Sequence, residues 1–110
     1  MYKQGDIVVV PFPFSNLKSV KQRPVLILSK SLDIQNSDNI ITCGLTSHIK
    51  TERYSVIIDN SDLENGSIPK QSRIKIDKLF TLDKTIIKKK VARVNQKTFR
   101  QVKEELLKLI

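Results

Sequence analysis

Apolar positions in this chain come in short runs of strand length, and only the C-terminal stretch repeats with the period of a helix. Asp6–Val10 is a β-branched run closed by Pro11. Val25–Leu28 is apolar at every position, which predicts a second strand buried on both faces. Between them lies a stretch with Pro, Ser, Asn and Lys and no period. It predicts a long loop, and loops that long in compact domains are more often functional than ornamental. Residues 31–39 are turn-rich, Ile40–Leu45 predicts a third strand, and Tyr54–Ile58 a fourth that ends at Asp59-Asn60. The Asn65-Gly66 pair predicts a tight turn. Ser72–Lys78 alternates cleanly, with Ile74 and Ile76 on one face and Arg73, Lys75 and Asp77 on the other.

Ile86–Val94 predicts a sixth strand, after which Asn95 is placed to cap a helix running to the C-terminus. Phe99, Val102, Leu106 and Leu109 share one face of that helix, widened by Leu107 and Ile110, while Glu104 and Lys108 form an i,i+4 pair. Six short strands and one terminal helix predict a mainly β fold with appended α, a small curled antiparallel sheet or barrel. No repeat, low-complexity tract or linker divides it, and 110 residues make one domain.

Charge changes the picture more than length does. Lys plus Arg total 20 against 11 Asp plus Glu, a net charge of +9, and residues 61–110 hold 13 of the basic groups. Such a field draws polyanions and speeds their encounter, which points to nucleic acid, to an acidic protein partner, or to solubility alone. The one cysteine, Cys43, lies in an apolar run, so the sequence predicts a buried small hydrophobe and a reducing, cytoplasmic setting. No signal-peptide pattern precedes the first strand and no apolar run approaches 18 residues, so neither secretion nor a membrane span is expected. One Cys and one His cannot assemble a zinc set, and three glycines form no phosphate loop; no metal or cofactor is expected.

Several residues could carry chemistry. Pro24 pushes Arg23 into extended geometry at the predicted loop–strand junction, where its planar fork can grip two phosphate oxygens; the plainer reading is an exposed arginine at a strand start. Thr46 closes the third strand, followed by Ser47 and His48. If extended geometry persists, Thr46 and His48 share a face and set a hydroxyl beside an imidazole; otherwise they are strand-end and surface groups. Lys75 and Asp77 project together, as an electrostatic stabiliser with a proton acceptor or as a solvated strand face. Lys88-Lys89-Lys90 with Arg93 is the densest basic run, suited to phosphate contact or to protecting a strand edge. Phe12 and Phe14, alternating with prolines, either stack on bases or plug the end of a barrel.

Five segments together give the chain a family likeness over nearly its whole length. They are Gly5-Asp6 opening the first strand, Pro11-Phe12-Pro13-Phe14, Arg23-Pro24-Val25-Leu26-Ile27-Leu28, Leu45-Thr46-Ser47, and the run from Arg73 through Leu79-Phe80-Thr81-Leu82-Asp83. The chain resembles the MazF/PemK (Kid) toxins of type II toxin–antitoxin pairs. The resemblance implies an SH3-like barrel of the CcdB/MazF type and a homodimer. It also implies sequence-specific, metal-independent cleavage of single-stranded RNA that inhibits growth and is neutralised by an acidic antitoxin. It assigns Arg23 and Thr46 as the catalytic pair and makes Ser47 the neighbouring hydroxyl. In the Kid-like branch an arginine and an aspartate two apart act as acid and base; here those positions hold Lys75 and Asp77, so the lysine is a departure. A histidine in the first loop of that branch has no counterpart in Leu17-Lys18-Ser19, and Gln22 stands where a small residue is common.

For RNA cleaved through its own 2′-hydroxyl, the protein need supply only positioning, cationic stabilisation and proton transfer. In this reading Arg23 holds the developing charge and Thr46 a phosphate oxygen, Asp77 or His48 serves as base, and Phe12, Phe14, Lys18, Lys21, Gln22, Ser47 and His48 contact the RNA. The products expected are a 2′,3′-cyclic phosphate and a 5′-hydroxyl. Two other functions fit the same barrel: a CcdB-like gyrase poison acting on DNA complexes, and an RNA-binding module without catalysis.

Overall fold

The computed structural model describes residues 1–13 and 20–110, and side chains there except at positions 12, 13 and 20. Phe14 and Lys18 lie outside the described residues, as does the side chain of Phe12. In chain order the elements are β1 (Asp6–Pro13), β2 (Val20–Ile27), α1 (Ser31–Asn36), β3 (Asn39–Thr46), β4 (Ser55–Ile58), β5 (Leu63–Gly66), β6 (Ser72–Asp83), β7 (Lys89–Val94) and α2 (Gln96–Leu109). The seven strands form one antiparallel sheet in the order β4-β6-β3-β2-β1-β7-β5, curled into a half-barrel. α2 packs against β4 and β6.

Alternation along the central strands sorts the core into two clusters. Ile7 and Leu26 join Cys43, Ile74, Ile76 and Val102 in the larger one, to which α2 contributes. Val8, Val10, Val25 and Ile27 point the other way and are covered by Ile34 of α1 and by Ile86 and Ile87. The Val25–Leu28 run is therefore buried on both sides of the sheet, Leu28 only partly. Cys43 is fully enclosed, and burial pushes its thiol up to about 12, far from a reactive thiolate.

The first two strands reach further than their patterns predict. β1 continues through Pro11 and Pro13, and β2 begins at Val20, with Val10 opposite Arg23 and Pro13 opposite Val20. Proline is tolerated there because β7 stops pairing with β1 at Val9, so the prolines sit on an edge. Pro24 likewise precedes Val25, the first residue of β2 that pairs with β3. Arg23 thus stands inside a strand, not at a loop–strand junction, and residues 11–13 and 20–24 of the predicted long loop are paired strand.

Three further expectations need correction. Residues 31–36, within the turn-rich stretch, form the short helix α1, anchored by buried Ile34. Asn65-Gly66 makes no tight turn; it lies in β5, which brings the strands among the described residues to seven where six were expected. Gly66 is needed for a different reason. Its φ is +77°, and a Cβ there would overlap the Val91 carbonyl oxygen and stand 2.5 Å from Ala92 Cα on β7. β6 runs on past Lys78 to Asp83, because Cys43 pairs with Leu79 while Gly44 pairs with Lys75. Ile76, Asp77 and Lys78 therefore have no partner on β3, and this bulge ends the clean alternation where the strand pattern stops.

The helix cap forms as expected: Asn95 Oδ1 accepts from the Thr98 N–H at 2.8 Å. Asn95→Ala is expected to cost about 1 kcal/mol, read as a lower urea midpoint at unchanged slope. The apolar face is narrower than predicted. Phe99, Val102 and Leu106 reach the core, whereas Leu107 and Ile110 are 70% and 87% exposed at its border. Lys108 bonds Glu105 at 2.6 Å, three residues back, instead of Glu104.

Candidate active site

The middle of β2, the end of β3 and residues 72–80 of β6 open onto a groove of about 1160 Å³. Gln22, Arg23 and Pro24 enter it from β2, Thr46 and Ser47 from the end of β3, and Lys75 and Phe80 from β6. Ser67–Lys70 and Lys88-Lys89 complete its walls. Among the described residues, Arg23, Lys70, Lys75, Lys88 and Lys89 give the wall five cations, and no carboxylate lines it. That is the electrostatic form of a polyanion site.

Antiparallel register explains how residues so far apart in sequence converge. β3 pairs with both β2 and β6, so the end of β3 and the start of β6 meet beside the middle of β2. Lys75 and Phe80 lie across Gly44: a Cβ there would stand 3.4 Å from Lys75 Cε and 3.8 Å from Phe80 Cε2, in ordinary contact with both. Lys75 is partly buried, and its ammonium is held below the ordinary lysine range, first by burial and then by the positive charges of Arg73, Lys78 and Arg23, with Asp77 opposing.

Thr46 is set by its own local geometry. The chain turns after it, and Thr46 Oγ1 accepts from the His48 N–H at 3.1 Å. The hydroxyl's acceptor side is used by the backbone and its O–H remains to donate into the groove. Extended geometry does not persist, so the hydroxyl and imidazole are not set side by side; Thr46 contacts the backbone of His48, whose side chain is exposed.

Arg23, Thr46, Lys75, Gln22 and Ser47 are thus brought together, whereas Asp77, Lys21 and His48 are not among the groove-lining residues. Asp77 falls in the β6 bulge and is exposed, within electrostatic reach of Lys75. Sequence reading missed Phe80, Gly44 and Lys70, and it left the basic run undivided. Lys88 and Lys89 line the groove, while Lys90 and Arg93 turn to buried Asp6, at 3.3 Å and 2.8 Å. The β-bulge between Ile7 and Val8 leaves Val91 without a partner on β1 and lies between Lys90 and Arg93. Arg73, expected beside Lys75 on an outer face, is buried. Among the described residues no group of His, Cys, Asp and Glu is arranged to hold a metal, and no helix is long and apolar enough to cross a membrane.

Comparison with known proteins agrees with this architecture. Among solved structures, a mycobacterial endoribonuclease in complex with its cognate antitoxin superposes with a TM-score of 0.81 at 18% identity, covering 98% of this chain and 93% of that one. A MazF bound to MazE from Deinococcus radiodurans gives 0.79 at 19% identity, over 98% and 94% of the two chains. These likenesses concern the fold. Among curated proteins none matches the sequence. The family model described as PemK-like, MazF-like toxin of type II toxin–antitoxin system matches residues 3–110, and the chain therefore belongs to that toxin family.

Proposed function

We propose that this chain is a sequence-specific endoribonuclease toxin that cleaves single-stranded RNA without a metal, through the substrate's own 2′-hydroxyl. The observation that carries this reading is the five-cation, carboxylate-free groove with the Thr46 hydroxyl at its border. Arg23 takes the developing charge of the phosphorane, and Thr46 donates to a phosphate oxygen. Lys75 supplies the proton to the departing 5′-oxygen, and Asp77, two residues on, receives the 2′ proton. Gln22 and Ser47 in the groove, with Lys21 and His48 beside it, are the RNA contacts, joined by Lys70, Lys88 and Lys89; Phe80, 36% exposed, offers a ring for base stacking. The products are a 2′,3′-cyclic phosphate and a 5′-hydroxyl.

The same reading assigns the partners. Antitoxins accompany both of the structural neighbours described above, and a protein with net charge +9 is matched by an acidic one. Ile41 on β3 and Leu79 on β6 are 49% and 44% exposed and give a second copy an apolar surface for a homodimer. The site of action is the cytoplasm, where the messenger is.

A single 2′-deoxy substitution at the cleaved linkage tests the chemistry. Cleavage there is expected to cease while binding persists; continued cleavage would refute 2′-hydroxyl attack. Binding of that uncleavable strand is expected to weaken with salt, with a log–log slope approaching about −3.5 if all five groove cations meet phosphates.

A further inference from the structure

Arg73 is 7% exposed, and its Nε is buried without a hydrogen-bond partner. One terminal nitrogen donates to Ser55 Oγ at 3.0 Å, and among the described residues no carboxylate bonds the guanidinium. A buried cation with no counter-charge is costly, and a position that needed only packing would be better filled by an apolar side chain. The charge itself is what the position retains.

Sheet register shows what that charge stands beside. Arg73 lies directly opposite Thr46 on β3 and two residues before Lys75 on β6, so all three share one face of the sheet. Ser55, which anchors the guanidinium, is the β4 partner of Lys75. Arg73 is absent from the groove wall, while Thr46 and Lys75 belong to it. It can therefore act on the reaction only through its neighbours.

We propose that Arg73 is a positioning residue: a buried, carboxylate-free cation whose field readies the Lys75 ammonium to release its proton to the leaving group. This rests on the ribonuclease reading above. In the step concerned the 2′-oxygen bonds to phosphorus as its proton passes to the base. The P–O5′ bond breaks with its electron pair on O5′, and Lys75 gives O5′ one proton, leaving a neutral amine that solvent reprotonates. A lysine at its ordinary basicity is a poor donor near neutrality, and Brønsted behaviour favours one held lower. The charged groups around Lys75 are Arg73, Lys78 and Asp77 on β6 and Arg23 on β2, with uncharged Gly44 and Ser55 opposite it on β3 and β4. Of the three cations, Arg73 lowers Lys75 most.

The test is the pH dependence of single-turnover cleavage together with the 13Cε titration of Lys75 by NMR. Wild type should lose rate on the alkaline side as Lys75 deprotonates. Lys75→Arg should carry that limb out of the accessible range. In Arg73→Met both the limb and the Lys75 titration should move to higher pH, kcat near neutrality should fall with KM unchanged, and Arg73→Lys should restore the profile. If Arg73→Met does not fold, Ser55→Ala, which releases the guanidinium, should move the titration in the same direction. A Lys75 titration that is the same in wild type and in a folded variant overturns the inference whatever the activity. RNA left intact by wild type defeats the ribonuclease reading instead.

Discussion

Arg23→Ala is expected to slow RNA cleavage by about 10²–10³-fold while the thermal midpoint stays within a degree or two of wild type. Both halves of that expectation come from where the residue sits. The backbone of Arg23 is held in β2 by pairing with Val10, and Pro24 constrains its geometry, so the side chain leaves the sheet in a defined direction. Its side chain is exposed and lines the groove, which makes truncation cheap for folding. In the transition state the loss is different in kind. The phosphorane carries more negative charge than the ground-state phosphate, and a fixed guanidinium stabilises it at little reorganisation cost. Arg23→Lys keeps the charge and gives up the fork, and is expected to recover only part of the rate. Single-turnover rates beside melting curves check this; an undiminished rate in Arg23→Ala would remove Arg23 from the mechanism.

Asp6→Ala is expected to cost about 3 kcal/mol of stability and leave the groove's residues in place. Asp6 is completely buried, accepts from the Lys3 N–H at 2.8 Å and from Arg93 Nε at 2.8 Å, and lies 3.3 Å from Lys90 Nζ. Arg93 carries the link onward to Glu64 on β5 at 3.1 Å. One carboxylate therefore ties the N-terminal segment and β1 to β7 and, through Arg93, to β5. The value stays at the lower end for a broken buried pair, because Arg93 and Lys90 are partly exposed and regain water once Asp6 is gone. At ~4 °C per kcal/mol the midpoint should fall about 12 °C. Glu52→Ala, which removes the exposed Lys50–Glu52 pair, is the control and should change stability by less than about 1 kcal/mol. Equal midpoints for the two variants would deny Asp6 its structural role.

The sequence carried those parts of this molecule that local pattern encodes. Apolar runs located the longer strands, alternation set the two isoleucines of β6 on one face, and Asn95 marked the helix start. Arg23 and Thr46 were legible through their neighbours: a following proline in one case, a strand end in the other. What stayed hidden depends on pairing between distant segments. Proline reads as a strand stop, yet Pro11 and Pro13 lie where β1 has lost its β7 neighbour and needs no donor. Asn-Gly reads as a turn, yet Gly66 exists for the close approach of β5 to β7. Arg73 reads as part of an outer face, and only its register opposite Thr46 shows it buried next to the groove. Lys88 and Lys90 look alike in sequence; the structure sends one to the groove and the other to Asp6.

The most direct measurement is to incubate the purified protein with single-stranded RNA in excess EDTA and map the ends it leaves. Internal cuts at a short recurring sequence are expected, each with a 5′-hydroxyl and a 2′,3′-cyclic phosphate, lost in Arg23→Ala. RNA that is bound but remains whole, or cutting that requires a divalent metal and leaves 5′-phosphates, would contradict that expectation.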